Sequence, residues 1–221
     1  MKYKLIRSKR KTLTISISGG EVTVKAPKSS SIEYIESFVA QKQSWIDKKL
    51  AEYDKKVGVL GDVMAYKNVM FGGAICPIEV TSAVKKIRYE GGKLLVPDKY
   101  EDESAKRRAI ASWYKKTAEG FLSHTLEALS IKTGLGYKSF SLTNARTKWG
   151  SCDGSCNIRL NWRLLMLSDE LTEYVIIHEL CHTVHHDHSP AFWEEVKKHC
   201  AAVPKKKKLL KTYSLLTTLY R

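Results

Sequence analysis

Residues 174–182 read YVIIHELCH, and the two histidines in this stretch lie four positions apart. On an α-helix, side chains four positions apart project from the same face, so His178 and His182 can present two imidazoles to one metal ion. Glu179 follows the first histidine directly and can reach a water molecule at the ion without binding the ion itself. This HExxH arrangement on a helix predicts a zinc site of the zincin type.

A third protein ligand has to come from the histidines downstream. Ser189 and Pro190 are typical of a helix start, with serine as the N-cap and proline at the first helical position. The HExxH helix is therefore expected to end near residues 185–187, which leaves His188 in the turn between two helices and free to reach the ion. His185 stands where metzincins, which share the spacing to the third histidine, have a glycine, and this argues against that class.

Three imidazoles leave one coordination position of a zinc ion open, which is the pattern of catalytic zinc sites. Zinc lowers the pKa of a water molecule that it binds to about 7, and Glu179 is predicted to take the proton as general base when this water attacks. Asp187, Glu194 and Glu195 are candidates for orienting the histidines. Two alternatives remain open for the third ligand, namely His186 and a direct bond from Glu194 or Glu195.

The apolar patterns around this helix predict an α+β fold. A β-rich N-terminal region with one helix is expected over residues 1–100, and a zincin-like catalytic domain with an active-site helix over residues 101–221. The predicted elements are, in order, a hairpin over 12–17 and 21–25, a helix over 32–53 with Ser31 as its N-cap, short strands over 66–97, a helix over 103–133 that stops at Gly134, and strands over 139–145 and 157–165.

The last of these strands alternates apolar and polar residues from Asn157 to Leu165. If one edge of this strand is free beside the metal, its backbone could pair with an extended peptide by strand addition. The alternative is an interior strand whose two edges are both paired.

The chain has 221 residues and a formal net charge of +15, from 38 basic and 23 acidic residues. This excess of positive charge permits contact with nucleic acid or acidic partners. No run of about 18 apolar residues predicts a membrane span, and the N-terminus lacks the apolar run of a secretory signal. Five cysteines, an odd number, argue against a disulfide framework. A cytoplasmic protein is therefore expected, with its oligomeric state left open.

Four motifs in the C-terminal half resemble the YgjP-like metallopeptidase family and, more distantly, SprT-type proteases. They are, in order, RTKWGSC at 146–152, LNWRL at 160–164, HELCH at 178–182 and HSPAFW at 188–193. The resemblance implies a zinc metallopeptidase in which His178, His182 and His188 bind Zn²⁺, Glu179 is catalytic, and the substrate is a peptide or protein. Thr183 and His186 depart from apolar residues that are common in the family, but neither is a proposed ligand.

Two other activities remain open. One relative in this family has been assigned a nucleoside triphosphate pyrophosphatase activity, and the basic surface would suit such a substrate. The likeness to SprT-type proteases suggests instead a protease that associates with nucleic acid. Arg146 and Arg159 are candidate contacts to the substrate or the transition state, because a positive group would complement developing negative charge. Gly150 is expected to mark a turn or a close approach to the site.

Overall fold

Three short strands open the chain, and two of them form the hairpin that the sequence predicts. In this computed structural model, which describes residues 2–100 and 102–220, β2 (Thr14–Ser18) pairs antiparallel with β3 (Glu21–Pro27). Gly19 and Gly20 join them with positive φ angles of 61° and 78°, which glycine adopts without strain. β1 (Lys4–Ser8) pairs parallel with β3, which is therefore the central strand of the three.

The helix predicted over residues 32–53 is two helices, α1 (Ile32–Gln41) and α2 (Gln43–Met64). Ser31 caps the first as predicted, because its Oγ accepts a hydrogen bond of 3.2 Å from the Tyr34 amide. The chain bends at Lys42, which carries no helix-breaking side chain and therefore gave no signal in the sequence. The bend lets residues from both helices cover one face of the sheet, and the buried core consists of Val22, Val24, Ala26, Ile35, Val39 and Ile46.

The three strands, α1 and most of α2 belong to a compact unit that ends at Gly61, and a second compact unit begins at Asp62, in the last turn of α2. Four strands open the second unit in the order β4-β5-β7-β6, and they are β4 (Asn68–Phe71), β5 (Ala74–Thr81), β6 (Arg88–Glu90) and β7 (Lys93–Pro97). The sequence predicts these strands as part of an N-terminal region over residues 1–100, whereas in the structure they lie in the second compact unit. A functional division near residue 100 stays a prediction.

The long helix α3 (Glu103–Thr133) has the bounds that the sequence predicts. Asp102 caps its start, where the side chain accepts a 2.7 Å hydrogen bond from the Ala105 amide. Gly134 ends it in the left-handed conformation with a φ of 73°. Its buried face, which includes Tyr114, packs on the elements that follow, and the Tyr114 hydroxyl donates to the Met70 carbonyl at 2.7 Å.

The sheet next to the candidate site has the order β8-β10-β9, with β8 (Ser139–Thr143), β9 (Gly150–Cys152) and β10 (Asn157–Asn161). The strand predicted to reach Leu165 therefore ends at Asn161, and residues Trp162–Met166 form a 3-10 helix. Both edges of β10 are paired, one with β8 and the other with β9. The hypothesis that this strand offers a free edge to a peptide is wrong.

The strand ends at Asn161 because the Asn161 side chain satisfies the backbone of the surrounding loops. Its Nδ2 donates to the carbonyls of Ala145 (2.8 Å) and Lys148 (3.0 Å), and its Oδ1 accepts from the Arg163 amide (3.1 Å). Such side-chain bonds compete with a sheet ladder. Arg163 is also fully buried, where its guanidinium donates to the Leu219 carbonyl and the Asn144 side chain, so the second half of the expected polar face is not exposed.

Three helices complete the second unit, and they are α4 (Asp169–Cys181), α5 (Pro190–His199) and α6 (Val203–Thr212), followed by a 3-10 helix over Tyr213–Thr218. Together with the three small sheets they confirm the predicted α+β class. Within the described residues, no helix is both long enough and apolar enough to cross a bilayer.

Replacing Asn161 with alanine should lower the free energy of unfolding by about 3 kcal/mol, because three backbone groups lose their hydrogen bonds to this buried side chain. The matched control is Arg159→Ala on the same strand. Arg159 is exposed and lies 3.6 Å from Asp153, an ion pair expected to contribute less than about 1 kcal/mol. Urea denaturation of the two variants measures the difference, and equal losses would contradict the role given to Asn161.

Candidate active site

Three histidines converge beside the end of α4. One ring nitrogen from each of His178, His182 and His188 lies within 4.8 Å of the others, and Nε2 of His178 lies 3.2 Å from Nε2 of His188. Two nitrogens bound to one tetrahedral zinc ion at about 2.0–2.1 Å would stand about 3.4 Å apart. The donor set and its spacing therefore fit a zinc ion held by three imidazoles.

The turn after α4 orients the second histidine. The helix ends at Cys181, earlier than predicted, but His182 keeps helical angles (φ −69°, ψ −12°) and still shares a face with His178. Nδ1 of His182 donates a hydrogen bond of 2.9 Å to the carbonyl of His185. This bond fixes the tautomer and leaves Nε2 of His182 unprotonated for a metal ion.

The start of α5 positions the third histidine. Ser189 caps this helix, with its Oγ accepting from the Phe192 amide at 3.4 Å, so His188 lies just before the helix and faces the other two histidines. His186 lines the same pocket but is not part of the three-histidine cluster. The structure therefore brings His188, and not His186, together with His178 and His182.

The acidic residues considered as ligands or orienting groups lie elsewhere. Glu194 pairs with Lys197 at 2.8 Å, and Glu195 contacts Lys198 at 2.6 Å and His199 at 3.0 Å. Asp187 accepts a hydrogen bond of 3.1 Å from the Ser189 amide. These three carboxylates stabilise α5 and its entry turn, and no hydrogen bond joins them to a histidine of the cluster within the part of the chain that the structure describes.

Aromatic rings orient the histidines instead. Phe192 is fully buried and lies 4.4 Å from the His182 ring and 4.9 Å from both the His178 and His188 rings, measured between centroids. Nδ1 of His178 is buried without a hydrogen-bond partner among the described residues, so packing holds this ring. Sequence reasoning missed Phe192, although the Ser189–Pro190 start signal places it in the first turn of α5, facing back to the cluster.

Glu179 is buried, with 6% of its surface exposed, and it packs against β9. A Cβ on Gly150 would lie 2.7 Å from Cγ and 2.8 Å from Oε1 of Glu179, so only glycine leaves room for this carboxylate. The expected close approach at Gly150 is confirmed. Burial raises the pKa of Glu179 to about 7, while the Lys148 ammonium and a hydrogen bond from the Cys152 backbone act in the opposite direction.

Burial also lowers the pKa of His178 to about 3, with further contributions from His182, His188 and the Lys207 ammonium. The pKa of His182 is lowered as well, mainly by burial. Near neutral pH both rings are therefore uncharged, which is the form that binds a metal ion.

The cluster opens into a pocket of about 400 Å³. Lys148 is its cationic lining residue on the side of Glu179, whereas the two arginines proposed from the sequence are not among the lining residues. Arg146 is exposed and Arg159 pairs with Asp153. Lys148 lies two residues after Arg146 in the same loop, and spacing alone does not show which of the two side chains lines the pocket.

β9 forms one wall of this pocket and is the edge strand of its sheet, since β10 is its only partner among the described strands. Asn161 N donates to Trp149 O at 2.8 Å and Asp153 N donates to Asn157 O at 3.2 Å. Backbone groups alternate in direction along an antiparallel pair, so those of Gly150 and Cys152 point away from β10. This outward edge of β9 faces the pocket, where the Cys152 amide already donates to Glu179 and the backbone groups of Gly150 face the cavity.

One family model matches most of the chain. The model of the YgjP-like metallopeptidase domain matches residues 11–213. A solved structure described as the crystal structure of the metallopeptidase zymogen of Pyrococcus abyssi abylysin is similar over 42% of this chain and 93% of its own, with 22% identity and a TM-score of 0.39. No curated protein matches the sequence. Because the family model spans nearly the whole chain, the resemblance noted in the sequence is confirmed, and the chain belongs to the YgjP-like metallopeptidase family.

Proposed function

We propose that this protein is a zinc-dependent peptidase that uses Glu179 as its general base. The observation that carries the proposal is the cluster of His178, His182 and His188, with its 3.2 Å separation between two Nε2 atoms, directly beside a buried carboxylate. Three neutral imidazoles and one open position are the donor set of a catalytic zinc site.

A zinc ion held by these histidines would supply Lewis acidity, which activates water and polarises the scissile carbonyl. Glu179 takes the proton from the attacking water and passes it to the leaving amine. Burial raises the pKa of this carboxyl group in the metal-free chain, and a bound zinc ion would act in the opposite direction and favour the ionised form that accepts a proton. Lys148 is the cation that complements the negative charge developing on the carbonyl oxygen, the role considered for Arg146 in the sequence.

An extended peptide is the substrate that fits the pocket wall. Gly150 presents its backbone groups away from β10, at the pocket that contains the histidine cluster, next to the Cys152 amide that donates to Glu179. A peptide added to this edge would receive main-chain hydrogen bonds and would lie across the cluster. Such pairing depends on the main chain of the substrate more than on its side chains, so we expect cleavage of peptides with many different sequences.

The two alternatives drawn from the resemblance gain less support. A nucleoside triphosphate would use the positive charge of the pocket but would not need the edge of β9. A nucleic-acid contact rests on the net charge of +15 alone. A panel of unstructured peptides and nucleoside triphosphates, assayed with the zinc-loaded protein, separates the hypotheses. Hydrolysis of nucleotides without cleavage of any peptide would overturn the proposal.

Protein purified without added metal should contain about one zinc ion per chain by elemental analysis. Alanine at His178, His182 or His188 should abolish this content, because each removes one of three donors. The matched control is His186→Ala, which removes a histidine that lines the same pocket outside the cluster and should retain the metal. If the His188→Ala variant kept its zinc and the His186→Ala variant lost it, the third ligand would be His186 instead of His188.

Glu179→Gln should keep the zinc and lose turnover by roughly 100- to 10,000-fold, because the amide cannot accept a proton. Peptide hydrolysis and metal content, measured on the same preparation, test this expectation. Near-normal rates in the variant would mean that another group is the base.

The same substitution should stabilise the metal-free protein at high pH. The folded chain keeps Glu179 protonated up to about pH 7, whereas the unfolded chain releases this proton near the ordinary pKa of 4.5, so stability falls as the pH rises between these values. The metal-free Glu179→Gln variant has no proton to release here and does not lose this stability. Its free energy of unfolding should exceed that of the unsubstituted protein by roughly 2–3 kcal/mol at pH 8, with little difference below pH 4.5. Chemical denaturation in the presence of a chelator measures it, and a pH-independent difference would contradict the burial cost.

Replacing single amides of a peptide substrate with esters tests the role of β9. Removing an N–H that pairs with the edge strand should lower kcat/KM by roughly tenfold, and the affected positions should alternate with unaffected ones, as in a β ladder. The unaffected positions are the internal control. A scan without this alternation would contradict strand addition.

A further inference from the structure

The Trp193 ring contacts both Lys207 and the histidine cluster. Its ring lies 5.7 Å from both the His178 and His188 rings, and Nζ of Lys207 on α6 lies 4.0 Å from its centroid. The ammonium group is therefore within about 10 Å of the histidines that would bind the metal. An extended chain advances about 3.3 Å per residue, so two residues cover roughly 7 Å of this distance and the side chain of an aspartate or glutamate spans the rest.

No acidic side chain among the described residues forms an ion pair with Lys207. Its neighbours are paired, since Lys197 contacts Glu194 at 2.8 Å and Lys206 contacts Glu170 at 3.2 Å. Within the described residues, no carboxylate oxygen lies within 4.0 Å of the Lys207 ammonium, whose recorded contact is the Trp193 ring. A cation on an aromatic face keeps its outward N–H groups available to a ligand.

A cleft lies on this side of the molecule and is lined by residues from α5, α6 and the segment between them. It encloses about 870 Å³, and its charged lining residues are Lys197 and Lys207, while the others are apolar or small apart from the buried thiol of Cys200. Trp193 belongs to this lining and its ring also lies 5.7 Å from the His188 ring, so the cleft borders the histidine cluster at this residue.

We infer that this cleft is a substrate subsite that selects an acidic side chain, with Lys207 pairing with the carboxylate of an aspartate or glutamate within two residues of the scissile bond. The inference rests on the proposed peptidase activity and adds a specificity to it. Trp193 supplies the apolar wall against which the methylene groups of the substrate side chain pack, and the ammonium supplies a charge-assisted hydrogen bond.

Fluorogenic peptides that differ only in carrying Glu, Gln or Lys at one of the two positions on either side of the scissile bond test this inference. With the zinc-loaded full-length protein, kcat/KM for the best-placed Glu should exceed that for Gln by roughly tenfold, the effect of one such contact. Lys207→Gln should abolish the preference, and Lys207→Glu should reverse it in favour of Lys.

The matched control is Lys205→Glu, which makes the same charge change on the same helix. Lys205 is exposed, is two residues from Lys207 and lines neither cavity, so the preference for Glu should persist in this variant. Elemental analysis should find equal zinc in all variants, since none touches a ligand.

Cleavage of all peptides at equal rates would overturn the subsite while leaving the peptidase intact. An equal change in Lys205→Glu and Lys207→Glu would also overturn it, because the effect would then come from net charge. Failure to cleave any peptide would instead count against the proposed function on which the subsite depends.

Discussion

The turn between α4 and α5 is the constraint on which the candidate site depends. Two histidines on one helix can face the same ion through local geometry alone, but the third must return to them after the helix ends. The hydrogen bond from His182 Nδ1 to the His185 carbonyl closes the turn, and the Ser189 cap starts the next helix immediately after His188. The same bond orients an imidazole for metal binding, so one interaction shapes both the backbone and the donor set.

Burial gives the site its chemistry at some cost in stability. A carboxylate with 6% exposure is expensive to keep charged, and its pKa rises to about 7 as a result. Gly150 makes this burial sterically feasible, because any side chain at that position would collide with Glu179. The strand that carries Gly150 is short and lies at the sheet edge, where the Cys152 amide donates to the same carboxylate. The contact between Gly150 on β9 and Glu179 on α4 therefore allows the burial that raises the pKa of Glu179.

The sequence predicted the features that depend on local periodicity and capping. The bounds of α3, the Ser31 and Ser189 caps and the close approach at Gly150 follow from residue types at fixed positions, and the structure agrees with each of them. The spacing of HExxH and the start signal at Ser189 together anticipated which three histidines converge.

The failures share a different physical cause, which is tertiary contact. The strand over 157–165 alternates as a half-buried strand should, yet Asn161 and Arg163 are buried by loops and by the C-terminal segment, and they end it early. Phe192 supports all three histidines, although its sequence position suggests only a core residue. Lys148 rather than Arg146 lines the pocket, because the path of the loop decides which side chain turns inward.

X-ray absorption spectroscopy at the zinc edge tests the central claim most directly, since it reports the atoms bound to the metal in the purified protein. Three imidazole nitrogens and one further light atom at about 2.0–2.1 Å, with no sulfur, are the result predicted by the cluster of His178, His182 and His188. A sulfur neighbour at about 2.3 Å, or fewer than three imidazoles, would contradict the site described above.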